Sequence, residues 1–161
     1  MMPRLDRVGI FREYSKAMKP GLKTPRTEED LENLLSEPVP ETVDLLRRLS
    51  GDILVLGVAG KIGVTLAAAA ARACRAAGVK KKIIGAARFS DPESRLKLEA
   101  AGVETVPCDL LDREAVERLP DAENVVFMAG KKFGTGGTEE VTWAMNTVTP
   151  AFAAERFARS R

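Results

Sequence analysis

From residue 52 to the end of the chain, short apolar runs alternate with longer amphipathic stretches. The first run, Ile53-Leu54-Val55-Leu56, is continuously apolar, as expected of a strand buried on both faces of a sheet. An Ala-rich stretch over residues 62–77 follows, and Gly78 closes it as a helix. The pairing then recurs. Residues 82–87 read as a strand, with 92–101 as its helix and Gly102 as the stop. Residues 104–107 form a third strand, which leads through Asp109-Leu110-Leu111-Asp112 into a short helix over 113–119. Residues 124–129 form a fourth strand, and a helix runs from about 139 to 157. This alternation predicts an α/β fold: a parallel sheet covered on both faces, with right-handed crossovers.

Upstream the pattern is helical. Thr27 reads as an N-cap, with Asp30 three residues on, and opens a helix over Glu28–Leu35 that Pro38 breaks. A second helix starts near Pro40 and runs to residue 49, where Ser50-Gly51 ends it. Its apolar positions Val43, Leu45, Leu46 and Leu49 fit a stripe that lies on the sheet. Both helices read as packing elements. Residues 1–26 are basic, contain Pro3, Pro20 and Pro25, and hold at most a short helical patch at 11–18. They read as an arm or a poorly ordered leader. The expected organisation is a leader over 1–26, a helical extension over 27–50 and one α/β domain over 51–161.

Composition narrows the chemistry. A chain of 161 residues, 45% hydrophobic and 30% charged, is long enough for one domain with a real core. Its net charge of +2, with acids and bases interspersed, offers no broad basic surface for nucleic acid. The chain contains no histidine, which excludes a zinc site or a histidine-based triad, and no metal ligand set is expected. Cys74 and Cys108 show no metal-ligand spacing and read as small core residues in a reducing compartment. No apolar stretch reaches membrane-spanning length and the start lacks a signal-peptide core, so a cytoplasmic location is the default.

The chemistry concentrates between the first strand and the first long helix, in Gly57-Val58-Ala59-Gly60-Lys61-Ile62-Gly63. One glycine lets the chain turn sharply out of the strand. A second lets backbone N–H groups approach a pyrophosphate, and a third lets helix and sheet pack closely. The first turn of the helix carries unpaired N–H groups and a partial positive charge, so an anion is stabilised there. A glycine-rich turn with no ligand is the plain alternative, but the flanking strand and helix supply the context that a phosphate cradle requires.

The G-x-x-G-x-x-G spacing of Gly57, Gly60 and Gly63 resembles that of the extended short-chain dehydrogenase/reductases, in the NAD-dependent epimerase/dehydratase group. The resemblance covers roughly residues 40–161 and implies a Rossmann-like, doubly wound parallel sheet that is truncated after its fourth strand–helix unit. Leu56 stands where the family usually has threonine or serine. The resemblance implies that Asp109, with Leu110 beside it, contacts the adenine. It further implies that Met128, Ala129 and Gly130 line the ribose and nicotinamide side. Asn146 matches the asparagine that supports the family's catalytic proton relay. Ala59, Lys61 and Ile62 complete the expected cradle. Each residue has a plainer reading: Asp109 as a turn or cap residue, Asn146 as a solvated helix residue, Met128 to Gly130 as a strand end, and Lys61 as an exposed lysine.

The second strand leads into Arg88-Phe89-Ser90, with no acid until Asp91. An acid at its end would accept the ribose hydroxyls of NAD, whereas the Arg88 fork suits a 2′-phosphate, so NADP is expected over NAD. The plainer reading has Arg88 stacking on the adenine and discriminating nothing. The family's catalytic tyrosine and its lysine four residues later cannot be placed, because the only tyrosine is Tyr14 and residue 18 is Met18. The expected function is the NAD(P)-binding portion of an oxidoreductase acting on a small hydroxyl or carbonyl compound, such as a nucleotide sugar. As given, the chain is expected to be catalytically incomplete, a fragment or a truncated gene product. A non-catalytic NAD(P) sensor that binds a partner protein is the alternative. In the strand order 3-2-1-4 the fourth strand is an open edge, so a homodimer is among the expected partners.

Overall fold

The computed structural model describes residues 24–131 and 136–161. All but the last three residues of the expected leader lie outside that range, including its helical patch at 11–18 and Tyr14.

Thr27 opens α1 (Glu28–Leu35) through a capping box. Its hydroxyl accepts from the Asp30 N–H at 3.0 Å, and the Asp30 carboxylate accepts from the Thr27 N–H at 3.2 Å. The Arg26 N–H chiefly, and then Thr27, hold the Asp30 carboxyl below its ordinary pKa. α1 buries none of its residues. Polar contacts hold it instead: Arg72 donates to the carbonyl and side-chain oxygens of Asn33, and Lys97 donates to Glu32. α2 (Pro40–Arg48) buries Leu46, with Val43 and Leu49 packed beside it. Leu45 is 52% exposed and leaves the expected stripe, because at 100° per residue it falls well away from Val43 and Leu46.

Four strands follow, β1 (Ile53–Leu56), β2 (Ile83–Ala87), β3 (Glu104–Pro107) and β4 (Asn124–Phe127), all parallel in the order β3-β2-β1-β4. Between and after them run α3 (Gly63–Ala77), α4 (Pro92–Ala100), α5 (Arg113–Glu117), α6 (Glu139–Trp143) and α7 (Thr149–Arg156). Side-chain alternation divides the core between the two faces. Ile53, Val55 and Ile83 meet Leu46 of α2, Ala67, Ala71 and Cys74 of α3, and Leu98 of α4. Leu54, Leu56, Ile84 and Ala86 meet Val116 of α5, Ala153 of α7 and Phe157 beyond it. The sheet is therefore wound on both faces, as expected. Each fully buried leucine of β1 contributes about 1.5–3 kcal/mol of burial. No helix among the described residues is long and apolar enough to cross a membrane.

Several boundaries differ from expectation, α5 ending at Glu117 instead of residue 119 among them, and three stand out. Lys82 stays outside β2 because Asp52 takes its N–H at 2.8 Å. Expected to Ala129, β4 ends at Phe127, although the Met128 N–H still reaches the Leu56 carbonyl at 2.8 Å. The expected continuous helix over 139–157 is interrupted by a π-helical turn at Ala144–Val148, just before Pro150. Strand β4 is the sheet edge, as expected, but its start is not bare. Arg161 donates to the Glu123 carbonyl at 2.8 Å and accepts from the Val125 N–H at 3.0 Å. Val126, further along that edge, is 38% exposed.

Candidate functional site

The three glycines of the turn do different work. Gly57 leaves β1 with φ +83, and a side chain there would stand 2.6 Å from the Ala129 nitrogen. A Cβ at Gly63 would lie 2.3 Å from the Val58 carbonyl oxygen, so Gly63 lets α3 begin against the turn. At Gly60 the nearest atom to an added Cβ is the Gly57 carbonyl oxygen at 3.4 Å, an ordinary contact. That open position lines a cavity of about 310 Å³. Beneath the turn, the fully buried Val58 sits over Gly85 of β2, where a Cβ would meet its side chain at 2.7 Å. The first turn of α3 has no side-chain cap and no acidic residue. Its positive end is left uncompensated beside the cavity.

The cavity crosses the C-terminal ends of the strands, from β3 and β2 over β1 to β4. In open α/β sheets this is where ligands bind, at the point where strand order reverses. One end is walled by Arg88, Cys108, Asp109 and Leu110. Arg88 is exposed and has no hydrogen bond or ion pair among the described residues. Asp91 is already engaged, since its carboxylate accepts from the N–H groups of Glu93 and Ser94 at 3.1 and 3.3 Å and caps α4. Phe89 adopts φ +51, a left-handed conformation costly for a bulky residue. Its ring packs with the α3–α4 core, and the Arg95 guanidinium lies 6.0 Å from the ring centre. The Asp109 carboxylate accepts from the Leu111 N–H at 3.0 Å, so the turn role offered as its plainer reading is one it performs while also lining the cavity. Burial pushes the Cys108 thiol up from its ordinary pKa, aided by Asp109 and Asp112, and keeps it a neutral wall. Cys74 is buried too, and burial raises its thiol against the opposing charges of Lys81 and Arg75.

At the other end stand Met128, Ala129, Gly130 and Met145. Asn146 is one residue beyond this wall, and its side chain is not idle in solvent. Its Nδ2 donates to the Lys131 carbonyl at 2.8 Å, and its Oδ1 accepts from the Lys131 N–H at 3.1 Å. This two-point clamp fixes the backbone where β4 runs out. Gly130 stays compact beneath it, because a Cβ there would lie 3.1 Å from Asn146 Oδ1.

Gly57, Ala59, Gly60, Arg88, Asp109, Leu110, Met128, Ala129 and Gly130 are thus brought to one cavity. Lys61 and Ile62 lie exposed outside its wall, and Gly63 is buried behind it. Phe89, Ser90, Asp91, Ser94 and Met145 line the cavity without having been expected there. The absence of an acid before Asp91 was visible in the sequence, but the positive φ at Phe89 and the π turn that carries Met145 were not. A larger cavity of about 520 Å³ lies between α1, α3 and α4. Its acids Glu32 and Glu93 are bound to Lys97, and none of the three glycines reaches it. No protein-family model matches the chain, and no curated protein matches it.

Proposed function

We propose that this chain binds a pyrophosphate-bridged dinucleotide across the strand ends, NADP in preference to NAD. The observation that carries this reading is the single cavity shared by the open Gly60 position, the unpaired Arg88 and the Met128-Ala129-Gly130 strand end. In this reading the main-chain N–H groups of Ala59, Lys61 and Ile62 and the positive end of α3 hold the pyrophosphate, since the Gly60 and Gly63 N–H groups already bond to the Gly57 and Gly60 carbonyls. Asp109 and Leu110 bound the adenine, and Arg88 takes the 2′-phosphate. The acid nearest the ribose, Asp91, is held in the cap of α4, which leaves Arg88 to set the preference. The β4 end and Met145 form the nicotinamide side, where the Asn146 clamp holds the backbone.

With the coenzyme bound, the nicotinamide supplies hydride acceptance or donation, and the chain's residues hold and orient it. The activity that follows is that of the NAD(P)-binding portion of an epimerase/dehydratase-like oxidoreductase working on a small hydroxyl or carbonyl compound. Calorimetric titration with NADP and NAD, on the protein and on Arg88→Ala, tests the reading. NADP should bind more tightly than NAD, and Arg88→Ala should weaken NADP about tenfold or more with NAD little changed, as for loss of a charge-assisted fork. Equal NADP affinity in the variant defeats the preference, and no binding of either coenzyme defeats the proposal.

A further inference from the structure

The π turn at Ala144–Val148 raises a hydrogen-bond question. In its i→i+5 pattern the Thr149 N–H bonds to the Ala144 carbonyl. By the same pattern the Met145 carbonyl should receive the N–H of residue 150, but Pro150 has none. The Thr149 hydroxyl supplies the bond instead, donating to the Met145 carbonyl at 2.7 Å. Thr149 is 1% exposed, so it is anchored from the helix core rather than from solvent. Three residues before it along the turn, Asn146 clamps Lys131, and Met145 itself lines the cavity.

We infer that Thr149 is a positioning residue for the nicotinamide end of the site. Its hydroxyl, standing in for the missing Pro150 donor, fixes the turn that sets Met145 against the cavity and Asn146 on Lys131. The role of the cavity in this inference rests on the dinucleotide reading above. Thr149 touches no ligand. Losing its hydroxyl releases the Met145 carbonyl and loosens only the wall beside β4, while the wall bearing Arg88 and Asp109 is untouched.

Thr149→Val keeps the side-chain shape and removes the donor, and Thr149→Ser keeps the donor. Two readouts separate positioning from general damage: the ε-methyl carbon resonance of Met145 in the ligand-free protein, and the affinities for NADP and for adenosine 2′,5′-bisphosphate, which lacks the nicotinamide half. Thr149→Val should shift the Met145 resonance and weaken NADP about tenfold, the scale of one lost hydrogen bond. It should change the bisphosphate affinity less than about twofold, being remote from that end. Thr149→Ser should restore both. An unmoved Met145 resonance, or equal weakening of the two ligands, overturns the inference. If the parent protein binds neither ligand, the dinucleotide reading falls and the Met145 resonance alone decides the role of Thr149. Should the valine variant not fold, Thr149→Ala is measured in its place by the same two readouts.

Discussion

Replacing Gly57 and Gly60 separately by alanine should give opposite phenotypes, and the local geometry sets both magnitudes. At Gly57 the backbone has φ +83, where an L side chain costs about 1–2 kcal/mol. The new methyl would also sit 2.6–2.8 Å from the nitrogen, Cα and Cβ of Ala129, and atoms of or rigidly attached to the main chain do not swing aside. Overpacking of this kind adds about 1–3 kcal/mol, for a total near 2–5 kcal/mol. For a domain of this size that lowers Tm by about 4–20 °C. At Gly60 the added methyl meets only the Gly57 carbonyl oxygen at 3.4 Å, and φ lies outside the left-handed range. Stability should therefore change by less than about 0.5 kcal/mol, as for an unconstrained surface substitution. In the proposed binding mode the methyl occupies the side from which the pyrophosphate approaches, so NADP affinity should fall about tenfold or more. Thermal melts followed by calorimetric titration of each folded variant measure both effects. The division of labour is refuted if Gly57→Ala melts within a degree of the parent. It is equally refuted if Gly60→Ala binds NADP undiminished.

Two other outcomes follow from particular contacts. Asp30 has a folded pKa below its ordinary value of 3.8, chiefly through the Arg26 N–H and then Thr27. Its contribution to α1 should be complete above that value and lost as pH falls through the folded pKa. Amide exchange of α1 measured between neutral and acid pH should show this decline, and Asp30→Asn should abolish it. Arg88→Lys, which keeps a point charge without the planar fork, should bind NADP between the parent and Arg88→Ala. Affinity equal to that of the alanine variant would show that charge alone is insufficient there.

Much of the architecture was readable because local rules and tertiary packing agree. The apolar run Ile53–Leu56, the Ala-rich helix closed by Gly78 and the Thr27–Asp30 cap are each specified by neighbours in sequence, and each is found in the fold. Gly57 and Gly63 have the turn and packing roles expected of them because a strand-to-helix turn leaves no room for a side chain at either position. What was not readable depends on residues distant in the chain or on subtle hydrogen-bond substitution. Gly85 is required by Val58 from another strand connection. Arg161 covers the start of the β4 edge through bonds to Glu123 and Val125. The π turn lies just before Pro150, but periodicity places Met145 and Asn146 on an unbroken helix, and only the Thr149 hydroxyl shows how the turn is satisfied.

The most direct test of the phosphate cradle is a backbone amide NMR titration of the full chain with NADP. The resonances of Gly57, Gly60, Lys61, Ile62 and Gly63 should move with a single binding curve, together with those of Arg88 and Ala129. The amides around the larger cavity, such as Asn33 and Ala101, should stay fixed. Saturable shifts confined to that larger cavity, or no shift in the glycine turn at saturating NADP, would contradict the account.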